Sequence, residues 1–125
     1  MTKTFQTTFH NKDGRGNCMA AVVASFLDLP IDQVPKFEEL MVFDNPNPED
    51  NKKWVDCCSE FLADRGFVWG SLDGHTEGFY IVVGRSPRGD FNHCCIYQNG
   101  LLWHDPHPSG AGLLTETHFE FIDEF

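Results

Sequence analysis

The segment Cys18-Met19-Ala20-Ala21-Val22-Val23-Ala24-Ser25-Phe26-Leu27 constrains the fold more than any other. Its small and apolar side chains lie all round a helical wheel, and its length favours a helix over a strand. A helix without a polar face must be covered on most sides. The rest of a 125-residue chain therefore has to pack around it. A chain of this length is expected to form one domain, residues 1–125, that buries roughly two-thirds of its unfolded surface. Apolar residues at 41% and aromatics at 14% supply the core material a disordered chain lacks.

On either side of that helix the pattern changes. Thr4 to His10 alternates, with Phe5, Thr7 and Phe9 on one side, and reads as a short strand. Asn11 to Asn17 is a turn-rich loop. Asp28 to Pro35 should stop the helix and start a short second one, with Pro30 preset for the turn. The prolines between Phe43 and Asp50 mark a loop. A third helix is expected from about Asp50 to Arg65. There Trp54, Cys57, Cys58, Phe61 and Leu62 form an apolar stripe, and Gly66 is placed to cap it. The second half switches to strands: Phe67–Leu72, Phe79–Val83, Asn92–Tyr97, Leu101–Asp105 and Thr117–Ile122. Asn99-Gly100 is a strong hairpin signal between two of them. Helices first and strands second predict an α+β chain with a central N-terminal helix packed on an antiparallel β-sheet.

Charge narrows the partners. Nine Lys and Arg against nineteen Asp and Glu leave a formal charge of −10. That disfavours nucleic acid or an anionic membrane as the main partner, because binding either relies on clustered positive charge. No apolar run approaches the ~20 residues of a membrane helix, and the amino terminus lacks the apolar stretch of a signal peptide. A cytoplasmic location is the expectation. Five cysteines, four of them in the adjacent pairs Cys57-Cys58 and Cys94-Cys95, do not form a spaced disulfide framework. Cys57 and Cys58 read as core. Alternation puts Cys94 and Ile96 on one strand face and His93, Cys95 and Tyr97 on the other, so one cysteine is core and its neighbour lies nearer any site.

Three segments carry chemistry together. A cysteine opens the buried helix after a glycine loop (Gly14-Arg15-Gly16-Asn17-Cys18), where helix N–H groups and the dipole favour a thiolate. A histidine opens a later strand (Asn92-His93-Cys94-Cys95-Ile96-Tyr97) and can hold the displaced proton. An aspartate ends the next strand (Leu101-Leu102-Trp103-His104-Asp105-Pro106) and can fix the imidazole tautomer. A strict two-residue Asn-Gly turn pairs Gln98 with Leu101 and puts His104, not Asp105, on the face of His93. Choosing Asp105 therefore requires a bulge, or a strand that leaves the ladder before Pro106.

Cysteine at the start of a central helix, then histidine, then aspartate on adjacent strands, resembles the papain-like cysteine peptidases. It resembles in particular the compact bacteriocin-leader-processing peptidase domains, whose histidine strand is likewise followed by a strand ending in Asp-Pro. More narrowly, Gly16-Asn17-Cys18 with Leu29 to Pro35, Ser86 to Gly89, and His104 to Ser109 is similar to small phage and bacterial proteins of unassigned function. The resemblance implies a papain-like cysteine protease fold with Cys18, His93 and Asp105 as catalytic groups. Papain-like enzymes also carry a glutamine a few residues before the cysteine, in the oxyanion hole. Here position 12 is Lys, and the nearest upstream glutamine is Gln6. Gln6, brought round by the glycine loop, or Asn17 is the candidate for that role.

Arg85 and Arg88, two of only nine basic residues, are candidates to dock an acidic substrate group, with His104 as a further neighbour of the site. His104 and His107 are too closely spaced for a zinc pair, adjacent cysteines chelate poorly, and no cofactor motif appears, so no metal and no cofactor is expected. The expectation is a thiol hydrolase cleaving an amide, isopeptide or thioester bond of a peptide or protein substrate through an acyl-enzyme on Cys18. The alternative is a non-catalytic phage or bacterial module of papain-like shape that sequesters a host protein. A phage-encoded protein of either kind would work in the bacterial host cell.

Overall fold

The computed structural model describes residues 1–12, 14–41, 49 and 51–125. The fold is α+β. Helix α1 spans Cys18–Leu27 and α2 spans Lys52–Ala63, with 3-10 turns at Ile31–Gln33 and Phe37–Glu39 between them. Five strands follow: β1 Phe67–Leu72, β2 Phe79–Arg85, β3 Asn92–Gln98, β4 Leu101–His104 and β5 His118–Glu124. They form one antiparallel sheet in the order β1-β5-β2-β3-β4, with the last strand inserted between β1 and β2. The proline-rich stretch read as a loop falls mostly outside the described residues.

Helix α1 is covered as its composition demands, with Met19 to Ser25 all buried. Val22, Val23 and Ala24 share one core with Ile81, Cys94, Ile96 and Ile122 of the sheet and with Cys58 and Leu62 of α2. Each fully buried aliphatic side chain in such a core contributes roughly 1.5–3 kcal/mol. Asp28 ends α1 in the left-handed conformation, φ 54°, its N–H bonded to the Ala24 and Ser25 carbonyls. The opposite sheet face carries a smaller cluster of Tyr80, Val82, Cys95 and Tyr97. No helix among the described residues is long and apolar enough to cross a membrane.

Three local expectations are revised. Thr4 to His10 is not a strand, because its backbone groups bond to side chains and loop carbonyls instead of a ladder. The Thr4 N–H donates to Ser25 Oγ at 3.0 Å, those of Thr7 and Thr8 to Asn17 Oδ1 at 2.9 and 3.0 Å, and that of Gln6 to the Pro106 carbonyl at 3.0 Å. The short second helix is a single 3-10 turn, with Pro30 at its start. The strand that carries Asp105 stops one residue earlier, at His104.

The hairpin between β3 and β4 sets the site. Asn99 and Gly100 both have positive φ, 53° and 87°, as a tight turn of this kind requires. Pairing begins as the strict turn dictates, Gln98 opposite Leu101 and Tyr97 opposite Leu102. It then shifts, so that Ile96 faces His104 and Trp103 is the extra residue of a bulge. One residue of slip exchanges the faces of everything beyond it.

Candidate active site

Cys18 is the first residue of α1, and Asn17 before it is committed elsewhere. Asn17 Oδ1 accepts the Thr7 and Thr8 N–H groups and its Nδ2 donates to Thr7 Oγ1 at 2.9 Å. It makes no side-chain cap on the helix. Asn17 is thus a clamp on the N-terminal segment, and it is not among the described residues that line the cleft, so it is not the oxyanion donor considered from the sequence. What the clamp holds is Gln6, which is buried and lines the same cleft as Cys18 and His93. Gln6 Nε2 spends one N–H on the Thr8 carbonyl, 3.0 Å away, and retains a second. Its Oε1 is buried with no hydrogen-bond partner among the described residues. The loop closes this tightly only because position 16 lacks a side chain. A Cβ on Gly16 would lie 2.8 Å from the Thr8 carbonyl oxygen and 3.0 Å from Gln6 Nε2.

His93, at the start of β3, and Asp105, just beyond β4, are both buried. The His93 Nε2–H donates to Asp105 Oδ1 at 2.6 Å. The same carboxylate accepts the His107 N–H at 2.9 Å on Oδ1 and the Gly112 N–H at 2.8 Å on Oδ2. Burial pushes the Asp105 carboxyl up, but these three donors hold it at about 2. Burial would also push His93 down. Hydrogen bonds to Asp105, Cys18 and Cys95 reverse this and carry the imidazole to about 11. With Nε2 given to Asp105, Nδ1 is the nitrogen left to exchange a proton with Cys18.

Cys18 Sγ has a second neighbour that sequence reasoning missed. The Cys94 thiol donates to it, with the sulfurs 3.2 Å apart. That hydrogen bond is the largest influence lowering the Cys18 thiol; burial opposes it, and the hydrogen bond and charge of His93 lower it further. Cys94 is pushed up in return, by the same bond and by burial. Cys95 is raised to about 11, burial outweighing its hydrogen bond to His93. Both members of the pair thus touch the site, Cys94 from the α1 face of β3 and Cys95 from the other. Alternation separates their faces but cannot show that α1 begins directly over Cys94.

His93, Cys95 and Asp105 could also offer donors to a metal, their ligand atoms lying within 4.8 Å of one another. A closed zinc site takes four ligands, and here a direct hydrogen bond already joins two of the three.

The remaining candidates divide. Arg88 lines the cleft, its guanidinium donating to Ser109 Oγ at 3.3 Å. Arg85 does not; it is exposed and paired with Asp90. His104 is also away from the cleft, because the bulge turns it to the Thr4 carbonyl, 2.7 Å from Nε2, against the Phe5 ring. The substrate-docking roles considered for Arg85 and His104 are therefore replaced by an ion pair and an anchor for the N-terminal segment. Arg15 lines the cleft instead, its guanidinium reaching the Asn92 carbonyl at 3.5 Å.

The cleft holds about 140 Å³. His10 stacks on Phe91, centroids 3.9 Å apart, and joins the N-terminal loop to the β2–β3 loop across it. The arrangement can hold a thiolate–imidazolium pair with a carboxylate behind it, opening onto a small groove. Comparison with models of protein families, with curated proteins and with solved structures returned no match for this chain.

Proposed function

We propose that the protein is a papain-like thiol hydrolase that cleaves an amide, isopeptide or thioester bond through an acyl-enzyme on Cys18. The observation that carries this reading is the chain of contacts Cys18–His93–Asp105, its first two members lining a cleft, with the thiol pulled down and the imidazole pulled up. Opposite shifts in two groups that touch are what an ion pair poised for nucleophilic attack requires. The Cys18 thiolate adds to the substrate carbonyl, and the negative oxygen turns toward the Gln6 amide and the first N–H groups of α1. His93 passes its proton to the departing amine or thiolate. It then takes one from water, whose oxygen attacks the acyl carbon and returns Cys18 as thiolate. Asp105 keeps the ring oriented throughout and is not itself protonated.

Alkylation tests the reading without a known substrate. With iodoacetamide near pH ~6, an ordinary thiol of pKa ~8.5 is under about 1% thiolate. Peptide mapping should then find the label on Cys18 long before the other four cysteines, and His93→Ala should remove that preference. Equal labelling of all five would refute the enzyme and favour a non-catalytic module that sequesters a host protein.

A further inference from the structure

We infer that the cleft selects a peptide carrying an acidic side chain next to the bond attacked, held by Arg15 and Arg88; this deepens the hydrolase reading and rests on it. The chain has nineteen Asp and Glu, yet not one carboxylate lies among the described residues that line the cleft. Two of nine Lys and Arg do, from different loops. Both guanidiniums are held by uncharged acceptors, Asn92 O and Ser109 Oγ, and neither has a carboxylate partner among the described residues. An arginine fixed by one weak neutral contact retains free N–H donors, and a carboxylate is the group its planar fork fits best. His107 also lines the cleft and is pushed down by burial and by the charge of Arg88, so the two arginines are the main cationic groups there. Glu38, whose charge reaches Cys18, is pushed up by burial and lies off the lining. The protein as a whole repels acidic peptides, so their capture has to be local.

Tripeptidyl vinyl sulfones that differ only in Asp, Ala or Lys at the two positions nearest the electrophile test this, with iodoacetamide as the neutral reference. Cys18 should react with the Asp probes about tenfold faster than with the Lys probes, and the order should collapse in Arg15→Ala/Arg88→Ala. Ala and Lys probes as fast as Asp, or labelling by iodoacetamide but by no peptide, would overturn the inference alone. Failure of iodoacetamide as well would overturn the hydrolase reading and the inference together.

A separate observation carries a second proposal. The geometry points to Cys18 and Cys94 as a pair that a hydroperoxide closes to a disulfide. Their sulfurs are 3.2 Å apart, and a bond requires about 2.05 Å, so little more than about 1 Å has to close. The Cys18 thiolate attacks one peroxide oxygen, forming an S–O bond, breaking O–O and releasing hydroxide (or alkoxide). The Cys94 sulfur then attacks Cys18 sulfur; S–S forms, S–O breaks, and the departing hydroxide takes the Cys94 proton as water. Both sulfurs are oxidised and the peroxide is reduced. Treatment with one equivalent of hydrogen peroxide should link the Cys18 and Cys94 peptides, with loss of the mass of two hydrogens. It should abolish alkylation of Cys18, and dithiothreitol should restore both. In Cys94→Ala the same treatment should leave a sulfenic acid on Cys18 that dimedone traps. Sulfinic acid on Cys18 without a cross-link in the wild type, or linkage through Cys57, Cys58 or Cys95, would overturn the proposal.

Discussion

Cys94 sits where a backbone amide or a charged group would ordinarily activate a thiol, and it does so with a weak S–H donor. Cys94→Ala should therefore raise the Cys18 pKa, and each unit gained removes about tenfold of the thiolate below both values. The pH dependence of the alkylation rate measures this directly, and an unchanged profile would leave His93 as the sole activator. Cys18 and His93 were legible because each carries a local mark, a glycine loop before an apolar helix and the first position of an alternating strand. Cys94 carried no such mark. Its role depends on which residue of a strand a helix crosses, and that is decided by packing between elements far apart in sequence. Arg15 was overlooked for a similar reason, since nothing local to the loop shows that it turns toward Asn92.

Between elements, the decisive features are one bulge and one amide. The Trp103 bulge turns Asp105 toward His93 and His104 toward Thr4, a choice that the Asn-Gly turn leaves open and the sequence could pose only as a condition. The Asn17 amide holds the segment that alternation marked as a strand. Alternation misleads here on both counts, since Phe5 and Phe9 are exposed while Gln6 is buried, and side chains rather than a ladder satisfy the backbone. Asn17→Ala strands two backbone N–H groups in a part-buried place and should cost about 2 kcal/mol of stability. Denaturant unfolding measures that loss. Hydrogen exchange at Thr7 and Thr8 should quicken beyond it, and if Gln6 serves the oxyanion, kcat should fall more than KM rises. Gly16→Ala, which presses on the Thr8 carbonyl and Gln6, should produce the same pattern by pushing from the other side.

Across the molecule, the buried His93–Asp105 pair ties stability to pH. Asp105 is lowered to about 2, so its contribution is full above the ordinary carboxylate value and is lost as pH falls through 2. His93 is raised to about 11, so its contribution is full below the ordinary imidazole value and declines as pH rises through 11. Both are complete only between about pH 4 and 6.5. Melting curves of wild type and Asp105→Asn should differ most inside that window and converge toward either extreme, and a constant gap would contradict the pairing. The helix-on-sheet class was legible from periodicity alone. The sheet order was not, because the placement of β5 between β1 and β2 is a long-range choice that no local pattern encodes. The same long reach governs when the thiol becomes reactive. During synthesis Cys18 leaves the ribosome before His93, Asp105 and the Gly112 N–H that steadies the carboxylate, which follow 75, 87 and 94 residues later. Gln6 waits equally long for Pro106. A nascent chain cut short before the Gly112 loop would lack a group that steadies Asp105, so on the proposed reading the nucleophile is withheld until the residues that surround it have been made.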